Sequence, residues 1–115
     1  MSTSTPTKIL IKNLSIYDGR IDAYAMPGDD VDSVLGRATD RYLAGRFGRG
    51  ASAYNNRLDS WDETGTYKTY ETTVVGRRCE DGSYPIRGTI WWTCNEDHVE
   101  GDRDRIEDAI QQIAI

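Results

Sequence analysis

Two β-rich runs in the stretch KILIKNLSIYDGRIDAYAMP, beginning at Lys8, flank the dipeptide Asp18-Gly19. Asp-Gly readily takes the φ > 0 conformations of a two-residue type I′ turn, so the chain is expected to enter a second strand at once and form a β-hairpin. With the turn at Asp18-Gly19, Ile16 faces Ile21 and Leu14 faces Ala23, which lays an apolar stripe along one face. Asn13, Ser15, Asp22 and Tyr24 take the other.

After Pro27-Gly28 the pattern changes period. Asp29 or Asp30 is placed to cap a helix, and Val31, Val34, Leu35, Ala38 and Tyr42 recur at helical spacing, with Gly45 or Gly48 as the stop. Its outward face is expected to carry Arg37, Asp40, Arg41 and Arg46. Residues 51–75 have the Tyr, Thr and Val content of two strands, with residues 59–65 as the loop between them. Glu80-Asp81-Gly82-Ser83 reads as a further turn, after which Ile86, Gly88, Ile90 and Trp92 alternate with Arg87, Thr89, Trp91 and Thr93 along a last strand. Near the end, Ile106, Ala109, Ile110 and Ile113 share one helical face, with Asp102 as the candidate cap. The predicted fold is α+β: an antiparallel sheet of about five strands with two helices packed on one face, in the order β-β-α-β-β-β-α.

The 115 residues suit one core. The expected organisation is a disordered tail over 1–7 and a single α+β domain over 8–115. No apolar run approaches the roughly 18 residues that cross a bilayer, and the first residues lack the apolar stretch of a secretory signal. A cytoplasmic protein with no membrane contact is expected.

Catalytic and cofactor chemistry finds little support. Cys79 and Cys94 are the two cysteines; a regular hairpin about the 80–83 turn pairs Cys79 with Tyr84 and Cys94 with Thr69, too far apart for a bridge, so free thiols are favoured. One histidine and no Cys-x-x-Cys leave a zinc site without ligands. Cys94, Glu96, Asp97 and His98 contain a nucleophile, an acid and a base, but neighbours at a strand end point apart, and a solvated His98 is the better reading. Asp29, Asp30 and Asp32 lack the central glycine and distal glutamate of a calcium loop, which favours capping. The expectation is no catalytic residue, no metal and no cofactor.

Charge and aromatic residues are unevenly spread. The net charge is −5, and residues 96–108 hold Glu96, Asp97, Glu100, Asp102, Asp104, Glu107 and Asp108 against Arg103 and Arg105. Acids near a helix start stabilise it, and such a cluster also suits electrostatic steering toward a basic partner. Arg37, Arg41, Arg46, Arg49 and Arg57 face one acid, Asp40, with Tyr42, Phe47 and Tyr54 interleaved. Solvated helix surface accounts for these arginines, and so does a nucleic-acid-binding module. Trp91 and Trp92 are adjacent on a strand and point to opposite faces. With Trp92 packed beside Ile86 and Ile90, Trp91 is left on the open face near Tyr67 or Tyr70, as a binding surface or the interface of a homodimer.

A short acidic α+β chain with a hairpin, an acid-capped helix and Tyr-rich strands (Ser52-Ala-Tyr54, Gly65-Thr-Tyr67, Thr69-Tyr70) resembles the small phage and mobile-element proteins that inhibit bacterial defence, notably the anti-CRISPR proteins. The resemblance lies in size, acidity and element order. It implies non-enzymatic, stoichiometric binding to a basic, nucleic-acid-binding surface of a CRISPR effector in the host bacterial cytoplasm. The partner-binding residues expected are the acids of 96–108 with Trp91, Tyr67 and Tyr70. Direct nucleic-acid binding through the 37–57 arginines is the alternative, and a self-associating structural protein the next.

Overall fold

A computed structural model describes residues 7–113, with the backbone alone for residues 96–100. The tail expected over 1–7 lies outside the described residues except for Thr7, which is exposed. The element order is β1 (Ile9–Ile16), β2 (Gly19–Ala25), α1 (Val31–Phe47), β3 (Ser52–Trp61), β4 (Tyr67–Val75), β5 (Ile86–Asn95) and α2 (Glu96–Ile113). The fold is α+β in the expected order, with every strand pair antiparallel. The five strands divide into a two-stranded sheet, β1-β2, and a three-stranded sheet, β3-β4-β5.

The first hairpin turns one residue earlier than Asp18-Gly19 would place it. Tyr17 and Asp18 form the turn, Ile16 pairs with Gly19, and Leu14 pairs with Ile21 instead of Ala23. Tyr17 takes the left-handed φ of 50° that the turn requires, a conformation uncommon for a bulky residue. Tertiary contacts hold it there. Its ring stacks with Tyr42 of α1 at 6.2 Å and meets Trp92 of β5 edge-on at 5.2 Å. Asp18, the other turn residue, accepts hydrogen bonds from the Tyr42 hydroxyl and the Arg46 guanidinium.

A bulge between Ile11 and Leu14 then corrects the phase of β1. Strict alternation puts Ile11 on the face opposite Leu14, yet both are buried. Asn13 absorbs the extra residue at φ 58°, and its backbone N–H donates to Asp22 Oδ1 at 2.9 Å. Ile11, Leu14, Ile16, Ala23 and Ala25 therefore present one apolar face, which Val34 and Ala38 of α1 and Ile106, Ala109 and Ile113 of α2 cover.

Asp30 caps α1, its carboxylate accepting from the Ser33 N–H at 2.7 Å. Gly48, at φ 107°, ends the helix. Asp29 instead takes a two-pronged ion pair from Arg37 (2.9 and 2.6 Å) and accepts from the Met26 N–H at 2.8 Å. Arg37 also donates to the Tyr24 carbonyl at 2.9 Å, so it ties α1 to the end of β2 rather than facing outward unpartnered. α2 begins at Glu96, directly after β5, which places Asp102 inside the helix instead of at its cap. There Asp102 accepts from the Ser15 N–H at 2.9 Å, while Arg105 donates to the Lys12 carbonyl, fastening α2 along β1.

A second, smaller core lies under the three-stranded sheet and consists of Leu43, Ala51, Val74 and Ile90, with Tyr17, Tyr42, Phe47 and Trp92 against it. Gly88 permits this approach, since a Cβ there would sit 2.9 Å from the Phe47 ring. Thr72 is the one buried polar residue among the described side chains. It accepts from Trp92 Nε1 at 2.5 Å and donates to Asn56 Oδ1 at 2.8 Å, joining all three strands.

Tyr17→Ala is expected to lower unfolding free energy by about 2–4 kcal/mol in denaturant titration, because it removes the ring shared by both cores. A loss below about 1 kcal/mol would show that the cores stand independently. For Asp29, the Arg37 hydrogen bonds outweigh desolvation and hold the carboxyl below its usual range. The unfolded chain therefore binds that proton more readily, so this stabilisation is complete above about pH 4 and lost as pH falls through the depressed folded value. Asp29→Asn is expected to flatten the acid limb of a plot of stability against pH while leaving the neutral-to-alkaline limb parallel to wild type.

Candidate functional site

Register assigns the side chains of the three-stranded sheet to faces. Thr72 pairs with Asn56 and Ile90, and Tyr70 with Leu58 and Trp92, all on the face toward α1. Glu71 pairs with Arg57 and Trp91 on the opposite face, where Tyr67, Thr69, Thr73, Thr89 and Thr93 also lie. None of these outer-face residues is buried, and Trp91 is 52% exposed. The molecule measures only 19 Å along its shortest axis, room for a sheet and one layer of helix. α1 and α2 both cover β1-β2, and the outer face of β3-β4-β5 has no helix on it.

Trp91 and Tyr67 thus stand on the open face as the alternation of β5 requires. Tyr70 does not join them: it stacks on Trp92 at 4.5 Å on the inner face, because residue 70 alternates with 67 and 71. Ile86 also departs from its expected place beside Ile90. A bulge between Val74 and Val75 leaves Arg87 as an extra residue, Ile86 pairs with Val75, and its side chain is 74% exposed. β3 runs on through Trp61 instead of yielding to a loop at residue 59, with register shifts at 53–55 and 58–60. It is an edge strand whose residues from Ala53 to Trp61 are all exposed.

The turn of the first hairpin stands against the β5 edge and makes a cleft of about 530 Å³. Tyr17, Asp18 and Arg20 form one wall; Tyr67, Thr69, Trp91 and Thr93 form the other. Thr69 and Thr93 hydroxyls are bonded to each other at 3.1 Å. Cys94 also lines the cleft, pairing with Lys68 and not Thr69. Both thiols are free, with Cys79 in the turn, where its N–H donates to the Ser83 carbonyl at 2.8 Å. Among the described residues the one carboxylate in the cleft wall is Asp18, and it is engaged. Burial pushes its pKa up, but the Tyr42 and Arg46 hydrogen bonds prevail and hold it below the usual range. Burial raises the Tyr17 hydroxyl above its ordinary value, the Asn56 contact opposing. The cleft therefore offers, among the described residues, aromatic faces and hydroxyls for contact. Among the described residues no group of three or more His, Cys, Asp or Glu is placed to hold a metal.

The expected acidic surface is only partly on view. The side chains of Glu96, Asp97, His98 and Glu100 lie outside the described residues. Asp104, Glu107 and Asp108 are exposed, whereas Asp102 is held by Ser15 and Arg105. The 37–57 arginines are mostly committed. Arg37, Arg46 and Arg57 pair with Asp29, Asp18 and Glu71, and Arg41 donates to the Asp22 carbonyl at 3.1 Å. Only Arg49 of that set has no partner among the described residues. No protein-family model, curated protein or solved structure matches the chain. Among the described residues no helix is long and apolar enough to cross a membrane.

The two tryptophans should separate cleanly in mutagenesis. Trp91→Ala is expected to change unfolding free energy by less than about 1 kcal/mol, as an exposed position does. Trp92→Ala, which loses two ring contacts and the Thr72 hydrogen bond, is expected to cost about 3 kcal/mol. Equal effects in thermal unfolding would mean that the two faces of β5 are equally covered.

Proposed function

We propose that this protein is a non-enzymatic binding protein whose open β3-β4-β5 face, centred on Trp91, receives a macromolecular partner. The observation that carries this reading is the uncovered outer face of a three-stranded sheet, with Trp91 and Tyr67 half-exposed beside a cleft. Large aromatic side chains supply much of the energy at protein interfaces, and a Trp held on a sheet needs little further ordering to bind. The exposed acids of α2, Asp104, Glu107 and Asp108, stand apart from that face and suit long-range attraction of a basic partner.

The partner class follows from the resemblance to anti-CRISPR proteins: a basic, nucleic-acid-binding surface of a bacterial defence complex, occupied stoichiometrically in the host cytoplasm. Purified CRISPR effector complexes test this directly. The wild-type protein is expected to co-elute with one of them in gel filtration and to displace its target DNA. Trp91→Ala is expected to weaken binding by at least tenfold, and Asp104→Lys with Glu107→Lys to slow association most at low salt. Failure to bind any effector complex would defeat the inhibitor assignment, and unchanged binding by Trp91→Ala would defeat the open-sheet assignment.

A further inference from the structure

The arginines fall into two populations. Arg37, Arg46, Arg57, Arg103 and Arg105 each pair with a carboxylate. Arg41 donates to the Asp22 carbonyl, and Arg20, Arg49, Arg77, Arg78 and Arg87 have no ion-paired or hydrogen-bonded partner among the described residues; apart from Arg20 of β2, these converge on one end of the three-stranded sheet. A Cβ on Gly50 would lie 3.2 Å from Arg77 Cβ, which puts the Arg49 loop against Arg77. A Cβ on Gly76 would lie 2.6 Å from Arg87 Nε, and one on Gly82 3.4 Å from an Arg78 terminal nitrogen. The Val74–Val75 bulge that turns Ile86 outward also sets Arg87 across the Gly76 backbone.

Aromatic side chains border the same end. Tyr54 is 69% exposed and Tyr84 44%, their rings 6.4 Å apart and tilted by 38°. Together with Ile86 and Val75 they line a shallow groove of about 430 Å³ that Gly82 and Ser83 close on one side. No arginine lines the groove itself, but Arg78 lies against Gly82 of its rim and Arg87 against Gly76, next to Val75 of its floor. We propose that this groove and the four arginines beside it bind single-stranded nucleic acid, the arginines taking phosphates and Tyr54 and Tyr84 stacking on bases. A single strand fits better than a duplex, because the tyrosines offer flat rings to unpaired bases.

The net charge of −5 does not oppose this, because the charges are separated along the sheet. Arg87 lies at the start of the ten-residue β5, and α2, with its acids, begins at the other end. Ten residues of strand span roughly 30 Å, about three Debye lengths at 0.1 M salt. Two acids do share the loop. Asp81 is exposed and accepts from the Ser83 N–H and hydroxyl at 2.9 and 2.5 Å, and Glu80 is exposed too. Four arginines outnumber them.

Fluorescence anisotropy with short labelled oligothymidylate and oligouridylate tests the proposal on the full-length protein. Saturable binding at low salt is expected, weakening by up to roughly 50-fold between about 50 and 200 mM salt if all four arginines meet phosphates. The relative affinity of the two oligomers then says whether DNA or RNA is preferred. Arg77→Glu with Arg78→Glu is expected to reduce affinity at least tenfold and to flatten the salt dependence, with melting temperature held. Tyr54→Ala with Tyr84→Ala is expected to reduce affinity by roughly tenfold or more without altering the salt slope. Absence of binding, wild-type affinity in the arginine variant, equal affinity for a duplex, or equal competition by polyglutamate would each overturn the proposal. Trp91→Ala is expected to bind the oligomers as wild type does, so this test stands or falls apart from the open-sheet reading.

Discussion

The contact of Tyr17 with Tyr42 and Trp92 is what makes one molecule out of two small sheets. Each sheet alone is marginal, since two or three strands with one apolar face need a covering layer. The β1-β2 hairpin gains its layer from both helices, while the three-stranded sheet borrows only the last turns of α1. Tyr17 and Tyr42 pack against both cores, and the Tyr42 and Arg46 bonds to Asp18 lock the turn that presents Tyr17. A turn residue at φ 50° is tolerated because these contacts hold it in place.

Irregularities in the strands then decide what each face displays. In β1 the extra residue at Asn13 brings Ile11 into the core that strict alternation would deny it. In β5 the extra residue at Arg87 does the reverse, removing Ile86 from the inner stripe and setting it beside Tyr54 and Tyr84. One inserted residue reverses the facing of everything beyond it, so a small change in register moves large side chains between core and surface. The register shifts along β3 also bend the exposed edge, a device by which native sheets discourage edge-to-edge pairing.

Charge follows a similar division between structural and available groups. Carboxylates at Asp18, Asp29 and Asp102 each organise a turn, a helix start or a helix–strand contact, and their cationic partners are consumed with them. What is left includes exposed acids along α2 and, at the far end of the three-stranded sheet, arginines with no partner among the described residues. Between them lies the open face with Trp91. A flat molecule with contact groups at separate places suits engagement of a large surface better than enclosure of a small ligand.

The alternation and helical spacing of apolar residues determined the strand count, the two helices, the element order and the opposite facing of Trp91 and Trp92. These are local properties, readable wherever period 2 or period 3.6 runs unbroken for several residues. Cap chemistry narrowed the helix start to Asp29 or Asp30 and its stop to Gly45 or Gly48, and the structure selected Asp30 and Gly48. Tertiary structure alone decided the position of the first turn, because Asp18-Gly19 is favoured locally but Tyr17-Asp18 gains the aromatic and ion-pair contacts of α1. It also decided the bulges, the split into two sheets and the start of α2 at Glu96, none of which leaves a periodic mark. The arginines show the difference most plainly: composition singled out those of 37–57 as a cluster, yet whether a guanidinium is paired or free depends on which carboxylate the fold brings beside it. Arg77, Arg78 and Arg87 join Arg49 only through a loop and a bulge, at a distance in sequence over which spacing carries no signal.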